Sequence, residues 1–200
     1  MNYINDDPSP FADANFELEY TKFSSVEGLA EFLLMHVAGL DPGDPQERDT
    51  PARFVKALRE LTTGERFDFT VFESDIDEMV VVRDVEFSTL CRHHVLPFMG
   101  KAHLAYVPNG KIVGLSKIPR LIRSHCARLN TQEELTEHIA EGFNHLVEPL
   151  GVGVIMEATH TCMSIRGARS NGSTTRTAAM RGVFADHSRT AKAEFLEAIR

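Results

Sequence analysis

Cysteine is scarce in this chain of 200 residues. Cys91, Cys126 and Cys162 are all it has, an odd and sparse set that argues against a disulfide framework. No apolar run approaches the roughly 18–20 residues that a membrane-spanning helix requires, so no membrane anchor is expected. Basic residues are missing from the first twenty positions, which carry five acids and no Lys or Arg. That is the opposite of a signal or transit peptide, and the expected location is cytoplasmic. Repeats and low-complexity tracts are missing too. The net charge of −8 leaves no dominant basic surface, so neither a nucleic-acid polymer nor an anionic membrane is an expected partner. What is present is ordinary globular chemistry. With 42% hydrophobic and 25% charged residues, wholesale disorder is excluded, and the length suits one domain, or one domain with an appendage.

The pattern along the chain predicts an α+β fold. Residues 1–20 are polar, acidic and broken by Pro8 and Pro10, and read as a disordered arm. Residues 21–77 read as a helical N-terminal part. Leu29, Phe32, Leu33 and Val37 recur at helical spacing, and Thr50-Pro51 opens a second helix with Phe54, Val55, Leu58 and Leu61 inward and Gly64 as its stop. From residue 78 to 200 the period changes to that of a half-buried sheet. Strands are predicted over 78–90 with an irregularity near Asp84, over 101–107, 112–115, 152–160 and about 174–184. Helices are predicted over 116–128, over about 188–199, and from the capping box Thr131-Gln-Glu-Glu134 to a stop at Gly151. Tight turns between strands favour an antiparallel sheet.

Chemistry-bearing residues concentrate in three places. Cys91-Arg92-His93-His94 puts a thiol and an imidazole three residues apart, both suited to Zn²⁺. That spacing alone also fits a buried Cys beside a surface His. His160-Thr161-Cys162, at the end of an apolar strand, adds another pair at i, i+2 on one strand face. Two Cys and two His admit a closed structural site or a three-ligand site with an open position. Cys126 reads as a packed helix residue, and His36, His138, His145 and His187 as surface or core residues. The second place is basic: Ser116-Lys117-Ile118-Pro119-Arg120 opens a helix, and residues 116–128 hold four Lys or Arg with no acid. This suits either a solvated face or a polyphosphate cradle. Arg166, Arg53 and Lys56 extend the basic set. In the third, Gln132-Glu133 lies in a helix's first turn. The dipole already explains an acid there, yet a Glu can also accept the N1–H and 2-amino protons of guanine.

Several strings together resemble GTP cyclohydrolase I. They are Asp49-Thr-Pro-Ala-Arg53 with Lys56, Ser88-Thr-Leu-Cys-Arg-His-His94, Gly100-Lys-Ala-His-Leu-Ala-Tyr-Val-Pro108, Gly114-Leu-Ser-Lys117, Gln132-Glu-Glu-Leu-Thr136, and Ala158-Thr-His-Thr-Cys-Met163 followed by Arg166-Gly167. The likeness runs in order from about residue 25 to the C-terminus. It implies the tunnelling fold, an antiparallel four-stranded sheet with two helices, preceded by a helical N-terminal part. It also implies β-barrel pentamers stacked into a homodecamer, with active sites at subunit interfaces. The implied zinc ligands are Cys91, His94 and Cys162, and the implied catalytic residues are His93, His160 and Ser116. Lys117, Arg120, Arg166, Arg53 and Lys56 match triphosphate or ribose contacts, and Gln132 with Glu133 matches the guanine-recognising pair. The implied reaction is zinc-dependent hydrolysis and ring rearrangement of GTP to 7,8-dihydroneopterin triphosphate and formate, with His160 protonating N7.

Two positions depart from the family pattern: Arg92 where Glu is usual, and Ala127 where a base is common. The competing readings are a tunnelling-fold relative acting on another purine or pterin, and a non-catalytic nucleotide-binding zinc oligomer. The net charge does not oppose a nucleoside triphosphate. The first twenty residues hold −5 of the −8, and a small polyanion responds to a local pocket.

Overall fold

The computed structural model describes residues 23–200, so the acidic arm expected over 1–20 lies outside the described residues. The chain divides into two units, one up to Arg59 and one from Glu60 to Arg200.

In the first unit, helix α1 spans Val26–Ala38. The Ser25 hydroxyl caps it by accepting the Gly28 N–H at 3.0 Å, and Gly39, left-handed at φ 73°, ends it. The following loop is stitched by Asx turns, in which the Gly43 and Gln46 N–H groups donate to the Asp41 and Asp44 carboxylates at 2.8 Å. Helix α2 then runs Thr50–Thr62. The apolar stripe on α1 is largely exposed: Leu29 is 49% and Val37 66% accessible, while Ala30 is buried. On α2, Pro51 and Val55 are buried but Phe54 and Leu61 are exposed. Periodicity reports that a helix has an apolar side, not that the same chain covers it.

The second unit is built on a sheet in the order β5-β2-β3-β6-β7. Its four long strands are β2 Val80–Cys91, β3 Pro97–Val107, β6 Gly151–His160 and β7 Thr175–Gly182, paired antiparallel in that order. The fifth, β5, is only Leu129–Asn130 and lies parallel to the end of β2. A separate small pair joins β1 Val71–Glu73 to β4 Lys111–Val113. The irregularity expected near Asp84 is a β-bulge between Val82 and Val85. Asp84 there is left-handed at φ 59°, a region an Asp tolerates better than a branched residue. Its N–H donates to His103 Nδ1 at 3.1 Å, and its carboxylate accepts from Lys101 at 2.9 Å.

Two helices cover one face of this sheet. Helix α3, Lys117–Cys126, buries Ile118, Leu121, Ile122 and Cys126. Helix α4, Gln132–Val147, buries Leu135, Ile139, Phe143 and Val147 at four-residue spacing. These meet Phe87, Phe98, Leu104, Tyr106, Val154 and Met156 from the strands. Alternate strand residues point to the other face. There Ala105 and Ile155 pack with Phe184 and with Phe195 of α6, Ala191–Ala198.

Thr131 caps α4 as expected: its hydroxyl accepts the Glu134 N–H at 3.2 Å and donates to the Glu134 carboxylate at 3.1 Å. The stop of α4 differs from expectation. Glu148 forms a left-handed cap at φ 51°, and Gly151 instead begins β6, where a Cβ would lie 2.6 Å from Val183 N. Among the described residues no helix is long and apolar enough to cross a membrane.

Two features yield predictions. Gly100 on β3 faces β6 so closely that a Cβ would lie 1.9 Å from the Glu157 carbonyl oxygen. Gly100→Ala is expected to lower the unfolding free energy by roughly 2–4 kcal/mol in denaturant titration. His125 has a buried Nδ1 with no partner among the described residues, and its Nε2 lies 2.8 Å from where a Cβ on Gly142 would be. Burial first, then Arg128 and His138, push its pKa down to about 4. A folded pKa below the unfolded value near 6.5 makes stability complete above about pH 6.5 and progressively lost as pH falls toward 4. His125→Leu is expected to flatten that loss between pH 6.5 and 4.5, read as unfolding midpoints against the parent protein.

Candidate active site

Cys91 is the last residue of β2, and the chain doubles back into β3 through a tight turn. The Cys91 N–H donates to the Leu96 carbonyl and the Val95 N–H to the Cys91 carbonyl, each at 2.8 Å. Val95 takes the left-handed conformation, φ 54°. This folds both imidazoles back over the thiol, with His93 Nδ1 3.9 Å and His94 Nδ1 3.8 Å from Cys91 Sγ.

Cys162 arrives from the neighbouring strand. Phe98 pairs with His160 in the β3–β6 register, so the end of β6 lies beside the β2–β3 turn. The strand stops at His160, and Cys162 belongs to the single helical turn α5, Thr161–Ser164. The expected i, i+2 strand face is therefore replaced by a strand-to-helix corner. The Thr161 hydroxyl pins that corner by donating to the Pro97 carbonyl at 2.6 Å.

The donor atoms of Cys91, His94 and Cys162 all lie within 4.8 Å of one another. Two sulfurs and one imidazole nitrogen at that spacing suit a tetrahedral cation with bonds of roughly 2.0–2.3 Å, and the donor set favours Zn²⁺. Burial, and then the adjacent Cys91 thiol, hold the Cys162 pKa above the ordinary thiol range. Two thiols crowded together resist ionising both, and a divalent cation removes that penalty.

His160 is fixed on two sides. Its ring stacks on Phe98, with centroids 4.5 Å apart and an interplanar angle of 9°. Its Nε2 lies 2.8 Å from Gln132 Oε1. Burial lowers its pKa, and the Glu133 carboxylate acts in the opposite sense. Gln132 is itself buried, whereas Glu133 is exposed beside it on the first turn of α4. Glu133 lines a cleft of about 430 Å³ with Thr136, His138 and Thr177.

The basic residues distribute differently. Ser116 and Lys117 stand at the start of α3, where Ser116 makes no side-chain cap bond. Arg120 lines an open groove of about 930 Å³ with Lys101 and Arg123. None of Cys91, His93, His94, His160 or Cys162 lines that groove. Arg166 is exposed just after α5 and acts electrostatically on Cys162. Arg53 and Lys56 lie on α2, and Arg53 is 3.4 Å from Asp49.

Three contacts were invisible in the sequence. The Phe98 stack and the Gln132–His160 bond join segments remote along the chain. The third contact concerns Arg92, one of the two positions read as departing from the pattern that the resemblance implies. Its guanidinium reaches both carboxylate oxygens of Glu134, at 2.6 and 2.8 Å, within the same chain. The opposite charges were readable; their proximity was not.

The purified protein is expected to bind one zinc per chain, with Cys91→Ser and Cys162→Ser losing it and Cys126→Ala keeping it, by elemental analysis after dialysis. Cys126 is buried, and burial pushes its thiol up to about 12, so it is expected to stay unmodified by iodoacetamide while Cys162, only partly buried, reacts once zinc is removed.

Comparison with known proteins identifies the family. The sequence profile described as GTP cyclohydrolase I matches residues 29–200. A GTP cyclohydrolase 1 2 from Nostoc sp. is 49% identical over 158 residues, 76% of this chain and 73% of that protein. A GTP cyclohydrolase 1 from Synechococcus sp. is 44% identical over 200 residues, 97% of this chain and 86% of its own length. One from Campylobacter jejuni is 45% identical over 172 residues, covering 83% and 90% respectively. With matched segments that run through the metal turn, the α4 turn and the strand-to-helix corner, the chain belongs to the GTP cyclohydrolase I family.

Proposed function

We propose that the protein converts GTP to 7,8-dihydroneopterin triphosphate and formate. The observation that carries this reading is the Cys91, His94 and Cys162 donor group flanked by His93 and His160, in a chain of this family. Cys91, His94 and Cys162 would hold Zn²⁺, which when bound supplies a Lewis acid and a water of pKa about 7.

The chain's own residues account for the rest. The Glu133 carboxylate accepts the N1–H and 2-amino protons of guanine and orients the base, an arrangement its exposed place above the cleft allows. His160, held against Phe98, gives a proton to N7 as C8 is attacked, a role suited to an imidazole. His93, with Ser116, assists ribose opening. Two waters add as C8 is released as formate, and one leaves when the sugar carbons close onto the amine. Lys117, Arg120, Arg166, Arg53 and Lys56 take up the triphosphate and ribose, Lys as point charges and Arg as forks.

Assembly into a decamer of two pentamers fits two observations. Arg120 lines a groove apart from the metal group, so a complete site calls for residues of a second copy. The sheet also has open edges: β7 ends the strand order, and β2 meets β5 only at Leu90 and Cys91. Unpaired edges of that length are normally covered, and pairing β7 of one copy with β2 of the next closes a barrel without edges. The expected location is the cytoplasm.

Incubating the purified protein with zinc and GTP is expected to release formate and, after oxidation, a fluorescent pterin. Absence of both would sink the reading. His160→Ala is expected to lower turnover about 10²–10⁴-fold with zinc content unchanged. Loss of zinc in that variant would instead make His160 a ligand.

A further inference from the structure

The resemblance pairs Gln132 with Glu133 in recognition of the base, but the two side chains face different ways. Gln132 is 1% exposed. Its Nε2 lies 3.1 Å from the Met156 carbonyl, 3.0 Å from the Thr175 carbonyl and 3.1 Å from the Thr177 hydroxyl. Carbonyl oxygens only accept, so the amide nitrogen must be the group facing them, and the amide orientation is fixed by its surroundings.

Its oxygen then faces His160 Nε2 at 2.8 Å. An amide oxygen has no hydrogen to give, so His160 Nε2 must carry one. In the neutral ring that leaves Nδ1 as the nitrogen with a free lone pair. The hydroxyls around the amide close consistently. Thr136 donates to the main-chain carbonyl of Gln132 at 2.7 Å. Thr177 then donates to Thr136 at 2.6 Å while accepting from Gln132. Three acceptors surround the two amide hydrogens, and neither is left for a base edge.

We propose that Gln132 is a positioning residue: it holds His160 as the Nε2–H tautomer, so that Nδ1 exchanges protons with the substrate and Glu133 alone reads the base. In the protonation of N7, the Nδ1–H bond breaks as N7–H forms, and the ring is left neutral with its hydrogen still on Nε2. The Phe98 stack sets the ring plane and the Gln132 bond sets the rotation within it. The naming of the substrate rests on the GTP reading above; the tautomer does not.

The test has two independent arms. The first is ¹⁵N NMR of histidine-labelled, zinc-loaded parent protein near neutral pH, with the His160 signals identified by their loss in His160→Asn. The unprotonated nitrogen is expected at Nδ1; an unprotonated Nε2 overturns the proposal. The second is kinetics of Gln132→Met, which keeps the side-chain length without the amide. Expected are a kcat lower by about tenfold or more, a KM for GTP within about twofold, and an unchanged preference for GTP over inosine triphosphate, which lacks the 2-amino group. A raised KM and a lost preference at unchanged kcat return Gln132 to base recognition and overturn the proposal. Thr177→Val, which removes one of three acceptors, is expected to lower kcat in the same direction by a smaller factor. Should Gln132→Met not fold, the NMR arm decides on the parent protein. Absence of any turnover by the parent protein tells against the GTP reading, while the tautomer measurement still stands.

Discussion

The metal group rests on the register of β3 against β6. Phe98 pairs with His160, and Gly100 with Ala158; slip that pairing by one residue and every side chain on the strand changes face. Cys91 and His94 enter β3's side of the sheet through a five-residue turn, and Cys162 leaves β6 through a helical corner. Their donor atoms meet only because both corners lie at the same end of one antiparallel pair. Gly100 keeps the two backbones close, since no Cβ fits against the Glu157 carbonyl. A sheet is a suitable foundation here because hydrogen bonds fix its spacing more rigidly than loop packing does.

Around that pair, polar groups are either satisfied or exposed. Thr89 donates to the Cys126 carbonyl at 2.6 Å and accepts from Asn130 at 2.9 Å, tying the end of α3 to β2. Gln132 joins α4 to β6 and β7 and reaches His160. Arg92 clips the metal turn to the first turn of α4 through Glu134. That ion pair is half exposed, so its worth lies in geometry more than in stability. Among the described residues the exception is the buried His125 Nδ1, which has no hydrogen-bond partner.

Charge follows the same division. Lys101 on β3 answers Asp84 at the bulge, and Arg176 on β7 answers Glu157 on β6. A net charge of −8 therefore describes neither the site nor the sheet. Of the basic residues proposed for the triphosphate, Lys117 and Arg120 lie on α3, Arg166 lies just after α5, and Arg53 and Lys56 lie on α2; a small polyanion responds to such local charge rather than to the total.

By itself the sequence determined most of the long helices and strands, the cap at Thr131, the irregularity near Asp84 and the candidate Cys and His donors, among which the family resemblance, not the spacing, singled out Cys91, His94 and Cys162. Each is written in local spacing or in residue chemistry, which need no knowledge of partners. Tertiary structure decided the rest. It set which apolar stripes are covered, so that the stripe on α4 is buried while much of that on α1 is exposed. It turned Cys162 from a strand residue into a helical corner, and showed Glu134 as the partner of Arg92. It also turned Gln132 inward and Glu133 outward, although they are adjacent in sequence. Neighbours on a helix differ by about 100° in direction, and only the packing of α4 on the sheet decides which of them faces the protein.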